Sequence, residues 1–413
     1  MGKLDFSRKQ YGQGQKIDSK LFLISSIIVI IIILLAILWL NMPEVYAVQS
    51  GSSHIVIETG SGRVLSSYNK DMRLEMASTT KIATAIVALE NSSPDDVVEI
   101  TKEMTGIEGS SLYLKEGERW KLIDLIYGLM LQSGNDAATA IAIRVGGSTE
   151  DFVDMMNAFA DKLGLENTRF DNPHGLHSEN HFTSAHDLAK ITAYALNDQT
   201  FAKIVSSKSH EVAGNESLQA RTIYNKNKLL SSFEGANGVK TGYTTDSGRC
   251  FVGAAERNGM QLVSVVLNCP DMWERTKALL RGAFDSYTYY KIGDSSEDLD
   301  EFSIGGENIS LRLESDIYYP IKNGENENFS YVFEPLREYP SSLKAGDAVG
   351  TLKVYDDNRL IFSRKIITIN EIKHKGALLS LMNLVGDWQV NTADGEIEQI
   401  FGVVRSGFAP RCG

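Results

Sequence analysis

The sequence contains little cysteine and comparatively little basic charge. Three cysteines in 413 residues cannot form the disulfide framework that holds small secreted domains together. Lysine and arginine number 41 against 53 aspartates and glutamates, which leaves a formal net charge of −12. No basic cluster occurs beyond the N-terminus, so the chain lacks the cationic face that nucleic-acid binding requires. The seven histidines show no metal-ligand spacing, and we expect neither a metal nor another cofactor.

The cysteines are also predicted to be unpaired. If Asn258-Gly259 forms a two-residue hairpin turn, Arg257 pairs with Met260 and Cys250 faces Leu267. Cys269 would then be a diagonal neighbour of Cys250, roughly 7–8 Å away. That separation is too large for an undistorted disulfide.

Long apolar runs are scarce, with one exception near the N-terminus. Residues 21–40 are almost uninterrupted apolar and, at about 1.5 Å per residue, long enough to cross a bilayer of roughly 30 Å. Basic residues lie in segment 1–20 and none follows before Arg63, so the positive-inside rule predicts a cytoplasmic segment 1–20. Residues 45–47 resemble a signal-peptidase site, whereas a signal h-region has only about 7–15 apolar residues. A transmembrane anchor and a cleaved signal both stay open for residues 21–40.

A serine and a lysine stand three residues apart at the start of an apolar segment. Ser78-Thr79-Thr80-Lys81 precedes residues 82–89, whose composition is typical of a helix buried inside a domain. Residues three apart on a helix share a face, with about 5–6 Å between Cβ atoms, so the Lys81 amine can reach the Ser78 hydroxyl. Apolar surroundings disfavour a charged lysine, which makes Lys81 a candidate proton acceptor. Alone, the segment is equally compatible with an N-capping serine and a surface lysine.

Two further motifs follow in a fixed order. Ser133-Gly134-Asn135 lies at a predicted break between two helices, although a plain capping turn with Asn135 or Asp136 as the N-cap would give the same pattern. Lys240-Thr241-Gly242 lies in an extended segment, and a glycine in a strand often marks close approach of another group. An ordinary edge-strand lysine is the alternative there. Together the motifs supply the nucleophile, base, polar relay and carboxylate-binding cation that a serine acyl-transfer site requires.

Context separates these motifs from chance occurrences of the same patterns. Ser-x-x-Lys also occurs at residues 67–70 and 341–344, but both segments are polar and loop-like. Lys-Thr-Gly occurs once, and ordinary composition would produce it in a chain of this length about one time in ten. The combination of three motifs in one order therefore carries more weight than any one of them.

The motifs and their order resemble the penicillin-recognising serine acyltransferases, and further stretches are similar to the low-molecular-weight D-alanyl-D-alanine carboxypeptidase family. The resemblance spans residues 50–290 and continues more loosely beyond them. The stretches that carry it are Glu58-Thr59-Gly60-Ser61-Gly62-Arg63-Val64-Leu65, Ala77-Ser78-Thr79-Thr80-Lys81, Phe170-Asp171-Asn172-Pro173-His174-Gly175-Leu176, Thr183-Ser184-Ala185-His186-Asp187-Leu188-Ala189 and Lys240-Thr241-Gly242-Tyr243-Thr244.

The resemblance implies an α/β (α+β) fold of the penicillin-binding-protein and β-lactamase type. A central antiparallel sheet and a helical subdomain would form a catalytic domain over residues 48–290. Alternating apolar and polar residues predict a small antiparallel domain, a β-sandwich by resemblance, over residues 303–370. Two domains suit a chain of 413 residues. The tail 371–413 is of uncertain role, and its apolar residues 377–385 suit a membrane-surface helix or a helix packed on the β domain.

The activity implied by the resemblance is removal of the terminal D-alanine from peptidoglycan stem peptides by a penicillin-sensitive serine carboxypeptidase. Ser78 would form the acyl-enzyme, Lys81 would accept its proton, and Ser133 would relay a proton to the leaving amine. The oxyanion would be stabilised by the backbone N–H groups of Ser78 and Tyr243. The residues expected to bind substrate are Asn135, Lys240, Thr241, Gly242 and, on the helix after the sheet hairpin, Arg275.

Expected partners are stem peptides ending in D-Ala-D-Ala, β-lactam antibiotics as inhibitors and the membrane through the N-terminal segment. The protein would act at the outer face of the cytoplasmic membrane or be secreted to the cell-wall space. A β-lactamase stays open as an alternative, although Asn172-Pro173-His174-Gly175 lacks the glutamate-rich loop pattern of the commonest such enzymes. A non-catalytic binding or sensor module also stays open, although every motif residue is present. Carboxypeptidase and endopeptidase preference are not distinguished.

Overall fold

The computed structural model describes residues 27–28, 30–34, 51–304, 307–325, 329–336, 342–356, 358–372 and 389–391. The chain divides into two units, Met1–Ala47 and Val48–Gly413. Across the described ranges, no helix is both long and apolar enough to cross a membrane. The predicted segment 1–20, most of segment 21–40, residues 45–47 and nearly all of the tail 371–413, with residues 377–385, lie outside the described residues.

The secondary structure alternates short strands with helices in the first two thirds of the chain and is mainly β-sheet after residue 287. The strands are β1 (Ser53–Glu58), β2 (Val64–Tyr68), β3 (Val97–Glu99), β4 (Arg119–Lys121), β5 (Ser209–Val212), β6 (Arg221–Tyr224), β7 (Ala236–Thr244), β8 (Gly248–Arg257), β9 (Met260–Leu267), β10 (Tyr287–Gly293), β11 (Asp300–Ile304), β12 (Glu307–Leu313), β13 (Ile317–Lys322), β14 (Phe329–Pro335), β15 (Ala348–Asp356), β16 (Arg359–Thr368) and β17 (Gln389–Asn391). The α-helices from Val48 onward are α1 (Lys81–Asn91), α2 (Leu122–Tyr127), α3 (Asn135–Gly146), α4 (Thr149–Lys162), α5 (Ala185–Leu196), α6 (Gln199–Ser206) and α7 (Met272–Ser286).

The central sheet is antiparallel, with strand order β2-β1-β9-β8-β7. Successive residues of a strand point to opposite faces, and both faces of this sheet are apolar. Ile55 and Val265 belong to the core that includes helices α1 and α5, whereas Val56 and Val266 pack with residues of α7. The sheet therefore lies between a helical subdomain and α7, with β7 at its edge.

The predicted hairpin turn at Asn258-Gly259 is confirmed. Both residues have positive φ, 51° and 79°, as a tight type I′ turn requires, and Arg257 pairs with Met260. Phe251 pairs with Val266, which puts Cys250 opposite Leu267. Cys250 and Cys269 are both free thiols, as this register predicts.

The C-terminal part forms the predicted antiparallel β structure. Its larger sheet has the order β11-β12-β16-β15-β14-β17, and β10 pairs with β13 in a smaller one. Strand β10 runs across residue 290, the predicted end of the catalytic domain. Arg63 joins the two parts, because its Nη1 donates to the Pro320 carbonyl at 2.7 Å and its guanidinium lies over the Tyr319 ring.

Candidate active site

Ser78 and Lys81 meet at the start of α1, in a turn that is tighter than predicted. Residues Ala77–Thr80 form a 3-10 turn, and α1 begins at Lys81, whereas the sequence predicted one continuous α-helix from Ser78. Side chains three residues apart eclipse each other in a 3-10 turn. The Lys81 Nζ accordingly lies 2.9 Å from the Ser78 Oγ.

Lys81 is fully buried and has three oxygen neighbours. Besides Ser78, its Nζ contacts the Asn135 Oδ1 and the His174 carbonyl, both at 2.6 Å. Burial, followed by the charge of Lys240, holds the pKa of Lys81 well below its usual value, and Asp136 opposes this shift.

The hydrogen-bond partners of Lys81 are compatible with a neutral amine. The Asn135 Oδ1 and the His174 carbonyl can only accept, whereas the Ser78 hydroxyl can also donate. A neutral Lys81 amine therefore donates to the first two oxygens and accepts the Ser78 proton with its lone pair. All three contacts remain satisfied in this neutral state.

Ser133 and Asn135 lie at a helix break, as predicted. Helix α2 runs into a π turn, Gly128–Gln132, and Ser133 then adopts left-handed φ of 67° before α3 begins at Asn135. Gly134 is the N-cap of α3, so neither Asn135 nor Asp136 is. Positive φ is uncommon for a residue with a side chain, and it turns the buried Ser133 out of the helical path.

The sequence analysis missed the part played by Asp136. Its buried carboxylate accepts hydrogen bonds from the Ser111 hydroxyl and from the backbone N–H groups of Leu112 and Leu114. The Asn135 side chain adds a bond to the Glu108 carbonyl. Loop 108–114 is thereby fastened to the Ser133-Gly134-Asn135 motif. The sequence signal for this role is an acidic residue directly after the motif, a pattern that a helix cap shares.

Strand β7 brings the third motif against the Ser78 turn. A Cβ on Gly242 would lie 3.0 Å from the Met76 carbonyl and 3.0 Å from the Ser78 nitrogen, so only glycine permits this approach without displacement. The half-buried Thr241 and the exposed Tyr243 flank Gly242 on the strand. The glycine in this motif predicted the close approach of another group, and β7 does pass close to Ser78.

Lys240 is the second buried lysine of the site. Its Nζ donates to the Thr241 carbonyl at 2.9 Å, and its side chain is almost fully buried. Burial, followed by the charge of Lys226, lowers the pKa of Lys240 to about 7. Lys226 itself is exposed and donates to the Gln132 carbonyl at 2.9 Å, next to Ser133. Lys226 was missed because it falls in an irregular polar segment with no recognisable spacing.

A buried histidine holds the Ser78 turn from behind. The His181 Nδ1 accepts from the Asp171 N–H at 3.0 Å, so its proton lies on Nε2, which is 2.7 Å from the Thr80 Oγ1. Thr80 in turn donates to the carbonyl of Ala77, a residue with φ of 45°. Burial lowers the pKa of His181 to about 3, so the ring is neutral and its tautomer is fixed. The sequence showed no signal for this chain of bonds.

The structure does not bring Arg275 together with the other predicted residues. Arg275 lies on α7, which packs on the sheet face opposite the helical subdomain. Its Nη2 lies 3.3 Å from the His54 Nε2, beside a pocket of about 250 Å³ that Tyr68 and Cys269 also line. No contact supports the predicted role of Arg275 in binding substrate.

Comparisons with known proteins agree along nearly the whole described chain. A family model described as D-alanyl-D-alanine carboxypeptidase matches residues 41–271, and one described as penicillin-binding protein 5, C-terminal domain, matches residues 284–374. The chain is 28% identical over 368 residues to D-alanyl-D-alanine carboxypeptidase DacF of Bacillus subtilis, covering 84% of this chain and 94% of that protein. It is 31% identical over 379 residues to DacC of Escherichia coli, covering 83% and 91%.

A solved structure extends the similarity to three dimensions. Penicillin binding protein 5 from Haemophilus influenzae matches with a TM-score of 0.62 at 27% identity, covering 81% of this chain and 99% of that one. The similarity includes both the sheet with its helices and the C-terminal β domain, so the predicted fold class is confirmed.

Proposed function

The chain belongs to the D-alanyl-D-alanine carboxypeptidase family, and we propose that it catalyses that family's reaction through the site around Ser78. It is a serine-type peptidase that removes the terminal D-alanine from peptidoglycan stem peptides. The predicted family and activity are therefore confirmed, and no comparison reported above names a β-lactamase or a sensor module. The assignment of roles to single residues is our proposal.

Acylation begins at Ser78. Its Oγ attacks the carbonyl carbon between the two D-alanines while its proton passes to the Lys81 Nζ. The single observation that carries this step is the 2.9 Å contact between Ser78 and a buried Lys81 whose other two partners can only accept hydrogen bonds. The carbonyl electron pair moves to the oxygen, where the N–H groups of Ser78 and Tyr243 would stabilise the negative charge.

The leaving group departs when the C–N bond breaks. Its nitrogen needs a proton, which Ser133 would relay, because Ser133 lies two residues before Asn135, whose side chain contacts Lys81. Water then attacks the ester carbonyl, the Oγ–C bond breaks, and Ser78 recovers its proton. The products are D-alanine, the shortened stem peptide and free enzyme.

Substrate recognition uses the cationic edge of the site. Asn135 would bind the substrate amide, and Lys240 and Thr241 on β7 the terminal carboxylate. The absence of Lys240 from the ion pairs found among the described residues supports this role, because its charge stays uncompensated until an anion binds. Gly242 would serve this site by letting β7 lie close against the Ser78 turn, because a Cβ there would press on the Met76 carbonyl and the Ser78 nitrogen.

We also propose the domain limits and location that follow from the sequence. The catalytic domain would occupy residues 48–290 and the β domain 303–370, with β10 connecting them. The N-terminal segment would attach the protein to the membrane or direct its secretion, which places the site on the side where cell-wall peptide occurs. β-Lactam antibiotics would acylate Ser78 as substrate analogues.

Mass spectrometry after brief exposure to penicillin tests the nucleophile. The adduct should map to the peptide that contains Ser78, and Ser78→Ala should abolish it. Ser67→Ala is the matched control, because Ser67 begins a Ser-x-x-Lys pattern but is exposed on β2. Normal acylation of Ser78→Ala would show that the nucleophile lies elsewhere.

The lifetime of the same adduct tests the enzyme class. A carboxypeptidase site without an acid directed at the deacylating water should hold the penicilloyl group for minutes or longer, while a D-Ala-D-Ala peptide turns over. Release of free enzyme within seconds would instead indicate a β-lactamase.

A further inference from the structure

We propose that Glu75, His177 and Asp246 form a binding site for one Zn²⁺ ion beside the Ser78 site. One ligand atom from each residue lies within 4.8 Å of the other two, and the His177 Nδ1 is 2.7 Å from the Glu75 Oε1. Among the described residues, no other set of three histidine, cysteine or acidic side chains comes this close together. The ion would be additional to the acyl-transfer chemistry, which the proposed residues perform without it.

The donor set suits zinc. An imidazole nitrogen and two carboxylate oxygens are common zinc ligands, with metal–ligand distances of about 2.0–2.2 Å, and water can complete a tetrahedral shell. Without a cation, the carboxylates of Glu75 and Asp246 repel each other, and among the described residues the exposed His177 forms its ion pair with Glu75, at 2.7 Å. A divalent ion between them would remove that repulsion.

The backbone holds the three ligands in place. The Glu75 carbonyl accepts a weak bond from the buried Cys250 thiol. Asp246 lies in the β7–β8 turn, where the Thr244 hydroxyl and N–H both bond to the Ser247 hydroxyl. His177 follows a loop that the Asn172 side chain fastens through two backbone N–H groups and one carbonyl.

The remaining adjustment is small. Tetrahedral geometry places ligand atoms about 3.4 Å apart, so separations of up to 4.8 Å must shorten by at most about 1.4 Å. The 2.7 Å contact between His177 and Glu75 must lengthen by about 0.7 Å. His177 and Asp246 are exposed and can make this change by side-chain rotation, whereas Glu75 is largely covered and serves as the fixed ligand. The site is therefore nearly formed before the ion binds.

The location gives the ion a consequence for the enzyme. Glu75 is three residues before Ser78, Asp246 follows the Lys240 strand, and His177 lies three residues after His174, whose carbonyl holds Lys81. A bound ion would link all three segments that surround the nucleophile. Because the ion binds the folded state and not the unfolded chain, Tm should rise with zinc concentration.

The test is calorimetric titration of ZnCl₂ into the chelator-treated full-length protein, together with Tm measurements. We expect one ion per chain, a rise in Tm, and a loss of affinity of at least about tenfold in both His177→Ala and Asp246→Asn. His186→Ala is the matched control, since His186 is paired with one carboxylate, Asp71, at 3.1 Å. It should bind zinc like the wild type.

The possible results separate the alternatives. Absence of binding, or equal binding by wild type and His177→Ala, would overturn the proposal. Equal loss in His186→Ala would show adsorption to surface histidines generally and would overturn it too. The titration needs no turnover, so a failed assignment of Ser78 would leave this result standing, and failure of zinc binding would leave the acyl-transfer proposal intact.

Discussion

The lysines of the Ser78 site and those of the C-terminal β structure are held in opposite electrostatic environments. Lys81 and Lys240 are almost fully buried, and neither takes part in an ion pair among the described residues; burial lowers both pKa values. Lys291 and Lys322, in contrast, lie against carboxylates of Asp316 and Glu325, and these hydrogen bonds raise their pKa values. Lys81 has a lowered pKa and Lys240 has a single hydrogen-bond partner among the described residues, whereas the carboxylates beside Lys291 and Lys322 already compensate their charges.

This difference separates functional charge from surface charge. An uncompensated buried cation costs folding free energy, and a protein retains one where a ligand or a reaction uses it. A surface ion pair is screened by water and contributes little. Substitutions of the two kinds of lysine should therefore have very different consequences, and the following variants test how far the comparison holds.

Loss of Lys81 should have the largest effect. Lys81→Met keeps the length of the side chain but removes the base, so kcat/KM for a D-Ala-D-Ala peptide should fall by roughly 10²–10⁴-fold. Lys70→Met removes a lysine of the chance Ser-x-x-Lys pattern, whose partner is the exposed Asp71, and should be near wild type. Comparable losses of kcat/KM in Lys81→Met and Lys70→Met would contradict the distinction between buried functional lysines and surface lysines. Steady-state kinetics with circular dichroism to verify folding provides the measurement.

Loss of Lys240 should have the next largest effect on kcat/KM. A charge-assisted bond to a desolvated carboxylate contributes about 1.5–3 kcal/mol, so Lys240→Ala should lower kcat/KM by about ten- to a hundredfold. Substrates amidated at the terminal D-alanine already lack that interaction. Wild type should therefore prefer the acid, and the variant should discriminate poorly. Equal use of acid and amide by wild type would place Lys240 in proton transfer and favour an endopeptidase.

The pH dependence sharpens the assignment of Lys240. Its pKa of about 7 lies below the usual value, so the free enzyme loses this cation as pH rises through 7, and kcat/KM should fall there. Lys240→Arg stays protonated, and this decline should move to higher pH. If kcat/KM of Lys240→Arg falls at the same pH as that of wild type, the titration of another group causes the fall.

The stability of the fold should change with pH in the direction opposite to kcat/KM. Between pH 7 and the usual lysine pKa, the unfolded chain binds a proton that the folded Lys240 does not. The free energy of unfolding should therefore increase with pH across this window, and the increase should be weaker in Lys240→Met. Urea unfolding of wild type and Lys240→Met at several pH values measures this pH dependence of the unfolding free energy.

The parts of the site that lie in short segments were predictable. Ser78 and Lys81 are three residues apart, and the glycine after Lys240-Thr241 correctly indicated a close approach to β7. These relations depend on local geometry and on small side chains, which sequence patterns record. The antiparallel C-terminal structure followed in the same way from alternation of apolar and polar residues.

The rest depended on the tertiary fold. His181 reaches Thr80 across 101 residues of sequence, and Lys226 lies near both buried lysines because two loops meet. Arg275 was assigned from its place after the sheet hairpin, but α7 packs on the face away from the helical subdomain. Which face a helix covers is decided by burial on both sides of the sheet, and the local sequence does not specify it.

Loss of His181 should have an intermediate effect on kcat, because His181 holds the Ser78 turn. His181→Asn removes the donor to Thr80, so the Ala77 carbonyl and the nucleophile should be held less well, and kcat should fall about three- to tenfold with little change in KM. His186→Asn is the control, because His186 is a partly buried histidine that is paired with Asp71 and not with the Ser78 turn. A purely structural role would lower Tm without changing the acylation rate of the folded enzyme, so stopped-flow acylation at a temperature well below Tm decides between the two.

The smallest effect should come from the C-terminal lysines. Lys322→Met removes an exposed ion pair with Glu325, which still has Arg63 at 3.8 Å. The pair is screened by water, and its lysine lies on β13, outside the central sheet that packs against the Ser78 turn, so kcat/KM and the acylation rate should equal those of wild type. Tm should change little, because Lys322 and Glu325 are both well hydrated in the wild type and the ion pair between them contributes little to stability. A clear loss of activity would mean that the β structure transmits charge effects to the site, and the contrast between buried functional lysines and compensated surface lysines would then be wrong.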